Sequence, residues 1–143
     1  MRAVLMVASA AALSVGGAIW MTLGGAEPAL AQSGEEGAPI VEIVLPDSLT
    51  PKQEMGKRAF DAVCADCHGQ NATGLVGKAP PLVHKIYEPS HHGDMAFLMA
   101  VQRGVRAHHW PFGDMPPQSG LTPSDVANIV DYVRALQREN GID

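Results

Sequence analysis

Large side chains are scarce in this sequence. Aromatic residues make up 5% of its 143 positions. A small domain so poor in rings buries a thin core by itself, which implies that something else fills its centre. Cysteine is nearly absent too. The two that exist, Cys64 and Cys67, make no disulfide framework, and no second C-x-x-C and no H-x₃₋₅-H complete a zinc site. Positive charge is in deficit, with a formal net charge of −5. Without residues 1–31, which hold only Arg2 and Glu27, nine basic and fourteen acidic residues remain, again −5. That balance argues against nucleic acid as a partner. No G-x-G-x-x-G, no repeat and no strand-rich region is present.

The apolar content is concentrated at the start. Arg2 precedes an apolar run from Ala3 to Leu23, and Ala29-Leu30-Ala31 forms an A-x-A site. A charged start, an apolar middle and a small-residue end predict an export signal over residues 1–31, cleaved after Ala31. The rival reading is an uncleaved membrane anchor, because the run is long enough to span a bilayer. Its Ala- and Gly-rich composition gives a modest drive to insert, and the small-residue site favours cleavage. Both readings place the remainder outside the cytoplasm, in the periplasm or anchored facing it.

Residues 32–49 read as a leader. Gln32–Pro39 is predicted to be mobile, and Ile40–Leu45 to be extended up to Pro46. A domain over 50–143 follows. Thr50, Pro51 and Gln53 form a capping box that opens a helix, with Met55, Ala59, Phe60 and Val63 as its apolar face. From Gly69 to Pro89 glycine and proline mark a long loop, rare in a compact domain unless it packs on a ligand. A second helix spans about Asp94–Arg103 and stops at Gly104, with Leu98 and Val101 as its inward residues. Residues 105–121 form another loop. The last helix opens at Thr122-Pro123-Ser124-Asp125 and buries Val126, Ile129, Val130, Val133 and Leu136.

Between the first helix and the long loop stands Cys64-Ala65-Asp66-Cys67-His68. C-x-x-C-H is the spacing at which two thiols each add to one haem vinyl group while the adjacent His falls under the iron. A thioredoxin-type redox pair needs a βαβ setting, and none is visible. The motif therefore predicts one haem c, covalent through Cys64 and Cys67, with His68 on the iron. Met115 is the expected second iron ligand, in a loop stiffened by Pro116 and Pro117. Met55, Met95 and Met99 fall on helices, where Met is more often core, although Met95 repeats the Gly-Asp-Met of Met115. His84, His91, His92, His108 and His109 are alternative sixth ligands. The pairs His91-His92 and His108-His109 also suggest weak copper binding.

From Thr50 onward the chain resembles the class I cytochromes c of the small bacterial kind. The resemblance covers about residues 50–138. It rests on an ordered set: Gly56 and Phe60 four apart, Cys64–Gly69, Ala79-Pro80-Pro81-Leu82, Leu98-x-x-Val101-x-x-Gly104, Met115-Pro116, and Tyr132 on the last helix. It implies an all-α fold of three to five helices wrapped round one covalently bound haem. It implies that the Pro80 carbonyl accepts the His68 Nδ1–H. It also implies that Gly56 lets the first and last helices cross closely beside Phe60 and Tyr132, and that Leu82, Leu98 and Trp110 line the haem. Val105–Asp114 departs from the family's pattern by its length and its His and aromatic content.

The function this implies is electron transfer by a single haem, shuttling between exported redox enzymes through transient contacts, with no catalysis of its own. Two other readings stand beside it. One is a dedicated haem subunit held by a periplasmic dehydrogenase. The other is a haem enzyme or sensor with an open sixth site.

Overall fold

A computed structural model describes residues 34–143; the export signal expected over 1–31 and the expected cleavage after Ala31 lie outside them. Among the described residues four α-helices carry the fold: α1 (Pro51–Val63), α2 (Ala65–His68), α3 (Asp94–Arg103) and α4 (Pro123–Glu139). Two 3₁₀ turns, Gln70–Ala72 and Lys85–Tyr87, punctuate the loop between α2 and α3. Among the described residues there are only isolated β-bridges, so the all-α expectation holds. None of the described helices is long and apolar enough to cross a membrane.

Both expected capping boxes form. The Gln53 N–H donates to Thr50 Oγ1 at 3.3 Å and the Thr50 N–H to Gln53 Oε1 at 2.9 Å. Thr122 and Asp125 make the same exchange at 3.2 and 2.9 Å. Each pair satisfies amides that the first turn leaves without helical partners.

The core lies where α1 crosses α4. Gly56 sits at the crossing: a Cβ built on it would stand 1.9 Å from the Asn128 carbonyl oxygen. Beside it the Phe60 and Tyr132 rings meet edge to face at 5.9 Å, both fully buried. Ile129, Val133 and Leu136 complete this cluster, while Val126 and Val130 pack with Val101 of α3 in a second one. The stripe expected on α4 is therefore buried throughout. On α1 the buried face is narrower than expected. Met55 is exposed, because the close approach at Gly56 draws the buried line through Gly56 and Phe60 instead.

The leader is docked rather than free. The Gly37 N–H donates to Val76 O, and the Ile40 and Val41 N–H groups both donate to Thr73 O. Further on, Asn140 at the end of α4 accepts from the Val44 N–H and donates to the Val44 carbonyl, each at 2.8 Å. The stretch predicted to be mobile is thus hydrogen-bonded from Gly37 on, and the extended segment is strapped along the domain.

Candidate functional site

The C-x-x-C-H residues occupy the turn from α1 into α2, directly after the buried Phe60. Cys64 caps the end of α1, its N–H bonded to Phe60 O at 2.7 Å, and the His68 N–H bonds Cys64 O at 2.9 Å. This turn holds the His68 ring inward, 9% exposed. Its Nδ1 lies 2.9 Å from Pro80 O. A carbonyl only accepts, so Nδ1 carries the proton and Nε2 keeps its lone pair. Burial holds the imidazole below its usual pKa, with the Pro80 carbonyl offsetting this in part. A neutral ring of fixed tautomer is the form that binds a metal.

His68 opens onto a cavity of about 400 Å³, within the range of small-molecule and cofactor sites. Phe60, Cys64, Leu82, Phe97, Val101, Val105 and Met115 make its wall largely apolar. The Cys64 thiol is pushed up to about 11, first by burial and then by Cys67. A thiol so far from ionising is a poor candidate for a thiolate nucleophile or redox pair. Cys67 is exposed on the same turn, and neither cysteine is in a disulfide.

Met115 lines the same cavity from the loop after α3. Its N–H and carbonyl pair with Val105 at 2.9 Å each, clasping the two ends of the 105–115 hairpin. Gly104 turns the chain at φ 75°, where a Cβ would lie 2.5 Å from Met115 O. The Gln118 N–H also donates to Val101 O at 2.7 Å. The unusual length of Val105–Asp114 is therefore carried in the hairpin, and the backbone of Met115 is held independently of it.

Two expected lining residues lie elsewhere. Leu98 points to the Val101–Val126–Val130 cluster and its neighbour Phe97 lines the cavity, because α3 turns that face to α4. Trp110 is outside the lining as well; it packs edge-on to His84 at 5.1 Å and stacks on Phe112 at 6.0 Å. Its indole Nε1–H is buried with no hydrogen-bond partner. It lies beside the hydroxyl of Tyr87, a cavity residue that burial pushes up to about 12. The apolar wall and the buried, neutral His68 of fixed tautomer together fit a haem.

Among the other sulfur and imidazole candidates, Met99, His92 and His108 line the cavity, whereas His84, His91 and His109 do not. Met95 is 66% exposed and faces a different groove with Lys52, so its Gly-Asp-Met setting has no bearing on the cavity.

A second polar network had no sequence expectation. Arg134 of α4 is buried, and its Nε donates to Asp94 Oδ1 at 2.9 Å. Its Nη1 donates to Tyr87 O and to Gln137 Oε1, each at 2.6 Å, and its Nη2 to His92 O. Gln137 Nε2 in turn donates to Leu82 O at 2.8 Å. The legible signal is that Arg134 and Gln137 continue the spacing of Val126 and Val130 on the buried side of α4. These two side chains fasten the 82–94 segment, and with it Leu82, Tyr87 and His92 of the cavity wall. Arg134→Ala strands several of these acceptors, so a loss of about 2–4 kcal/mol in chemical unfolding is expected. Arg134→Lys should recover only part of it, because an ammonium lacks the planar fork. A silent Arg134→Ala would mean that the network does not hold the segment.

Comparison with known proteins gives one family. A family model described as Cytochrome c matches residues 53–137, and no curated protein matches the chain.

Proposed function

The chain belongs to the cytochrome c family, and we propose that it is an exported, periplasmic electron carrier with one haem c. The family binds its haem covalently, and Cys64 and Cys67 have the spacing for that attachment. When bound, the haem supplies a one-electron iron couple.

In this reading Cys64 and Cys67 hold the two thioether bonds and His68 Nε2 is the proximal ligand. The single observation that carries it is His68: buried, tied through Nδ1 to Pro80, and lining the same apolar cavity as Met115. The Pro80 bond sets ring orientation and raises the basicity of Nε2. Met115 is the second ligand. Its backbone is clasped on both sides, which suits a site that must not rearrange as the electron comes and goes. Tyr87 supplies a donor at the cavity wall, and Leu82 and Phe97 keep water out. The acidic chain meets basic patches on its redox partners in brief contacts.

The test is the absorption spectrum of the purified, oxidised protein. A weak far-red band, the mark of sulfur on ferric haem, is expected. Carbon monoxide binding to the reduced protein at neutral pH would overturn the carrier reading in favour of an open-site enzyme or sensor. Cys64→Ala and Cys67→Ala should each leave at most one thioether, read as a shifted α band in the pyridine haemochrome. Unaltered two-thioether haem in either variant would contradict the attachment sites. A second reading, a haem subunit of a periplasmic dehydrogenase, draws on the exposed 106–109 stretch of the hairpin as a standing interface. Native purification with a fixed catalytic partner distinguishes it.

A further inference from the structure

We propose that His91, His92 and His109 form a binding site for a divalent transition metal that favours imidazole ligands, Cu²⁺ ahead of Zn²⁺, joined to the haem cavity through His92, the one of the three that lines it. The site lies outside the iron-binding residues and is separate from the electron-carrier reading. Only its effect on the haem rests on that reading.

The three side chains come from two segments. His91 and His92 sit in the turn after Tyr87, where both their N–H groups donate to Glu88 O, at 3.0 and 2.8 Å. His109 comes from the 105–115 hairpin. One ring nitrogen from each of the three lies within 4.8 Å of the others. His91 and His92 stack at 4.6 Å, and the His109 ring stands edge-on to each at 5.2 Å. Nitrogens sharing one ion at about 2.0–2.1 Å lie about 3.3 Å apart in tetrahedral geometry. The exposed side chains of His91 and His109 can close that gap by rotation.

His92 is already oriented as a ligand. Its Nδ1 lies 2.7 Å from Ile86 O, so Nδ1 carries the proton and Nε2 is the free donor. A backbone carbonyl behind a ligating His is the usual outer partner in metal sites. Arg134 also bonds the His92 carbonyl, so the backbone under this ligand is fastened to α4. Solvated imidazoles repel one another once protonated, and gathering three gives no stability by itself. A shared cation turns the same crowding into attraction. An all-imidazole set selects copper, zinc and nickel over calcium and magnesium, and copper binds tightest in that series.

The position has a consequence. His92 is both a proposed ligand and part of the haem-cavity wall, as is His108, whose ring lies 4.2 Å from His109. A dication held there favours the less positive, ferrous state of the neighbouring iron, so its binding raises the haem midpoint potential.

The experiment is equilibrium dialysis of the oxidised, haem-loaded protein against Cu²⁺, Zn²⁺ and Mg²⁺. One equivalent of Cu²⁺ and of Zn²⁺ is expected, Cu²⁺ the tighter, with no Mg²⁺. Electron paramagnetic resonance of the Cu²⁺ form should show nitrogen hyperfine structure. His91→Ala and His109→Ala should each weaken binding about tenfold or more, with an unchanged Soret band showing that the fold persists. His84→Ala, which removes a His outside the cluster, should leave binding intact. Redox-inert Zn²⁺ should raise the midpoint potential in the parent and not in His109→Ala. Absence of stoichiometric binding, or binding that survives the His91→Ala/His109→Ala double variant, overturns the site. A potential unmoved by bound Zn²⁺ overturns the coupling. Dialysis counts metal whatever ligates the iron, so failure here is distinct from failure of the carrier reading.

Discussion

Gly56→Ala is expected to destabilise the protein by about 2–4 kcal/mol, although the same change in an ordinary helix interior stabilises by up to about 1 kcal/mol. The sign reverses because of what the new methyl group meets. It would lie 1.9 Å from the Asn128 carbonyl oxygen, 2.5 Å from its carbon and 3.0 Å from the Ile129 nitrogen. All three are backbone atoms of α4, so no side chain can rotate away. Relief requires α1 and α4 to separate, which opens the Phe60–Tyr132 contact and the cluster around Ile129, Val133 and Leu136. For a domain of this size the loss corresponds to a fall in Tm of roughly 10–25 °C. Thermal unfolding of the haem-attached protein followed by circular dichroism is the measurement. Met55→Ala, one residue away on the exposed side, should change stability by less than about 0.5 kcal/mol. An unchanged Tm in Gly56→Ala would mean that the two helices do not cross there.

Met115→Ala is expected to leave haem attached and to change almost everything else about the iron. The far-red band should vanish, and the reduced protein should take up carbon monoxide. The midpoint potential should fall on the order of 0.2 V, a quarter of the span of about 0.8 V over which axial ligands set haem potentials. Thioether attachment depends on Cys64 and Cys67, far along the chain from Met115, which is why haem content is the internal control. The backbone clasp between Val105 and Met115 uses no side-chain atoms, so the hairpin should keep its place. Spectral and potential measurements on the same sample separate loss of a ligand from loss of the fold. If band and potential were unaltered, the sixth ligand would have to come from Met99, His92 or His108, the other sulfur and imidazole groups of the cavity wall.

The helices were legible because their signals are local. Thr50–Gln53 and Thr122–Asp125 state their own caps within four residues, and the α4 stripe repeats at helical spacing. Gly104 ends α3 at the position where its sequence says it should. The C-x-x-C-H turn and the bond from His68 to Pro80 were also readable, the first from spacing and the second from the family resemblance. What escaped depends on how elements face one another. Leu98 and Phe97 are adjacent on one helix, and only the tilt of α3 against α4 decides which of them meets the cavity. Trp110 lies in an irregular hairpin whose path no periodicity reports. Arg134 and Gln137 carried no expectation, because the loop carbonyls they satisfy are distant in sequence. The docking of Gly37–Val44 escaped for a related reason. Its partners, Thr73, Val76 and Asn140, are distant in sequence, and Gly- and Glu-rich composition points the other way.

The crossing of α1 with α4 also sets an order of events in the making of the protein. The two helices that close the core lie at opposite ends of the domain, so the fold cannot shut until the last helix has arrived. A chain delivered N-terminus first presents Cys64 and Cys67 while α4 is still missing. In that open chain both thiols are accessible. In the closed domain Cys64 is half-buried in the cavity wall, and that burial pushes it up to about 11. Thioether formation is therefore favoured before closure, and a domain that shut without its haem would hold Cys64 in the cavity wall as a thiol slow to ionise.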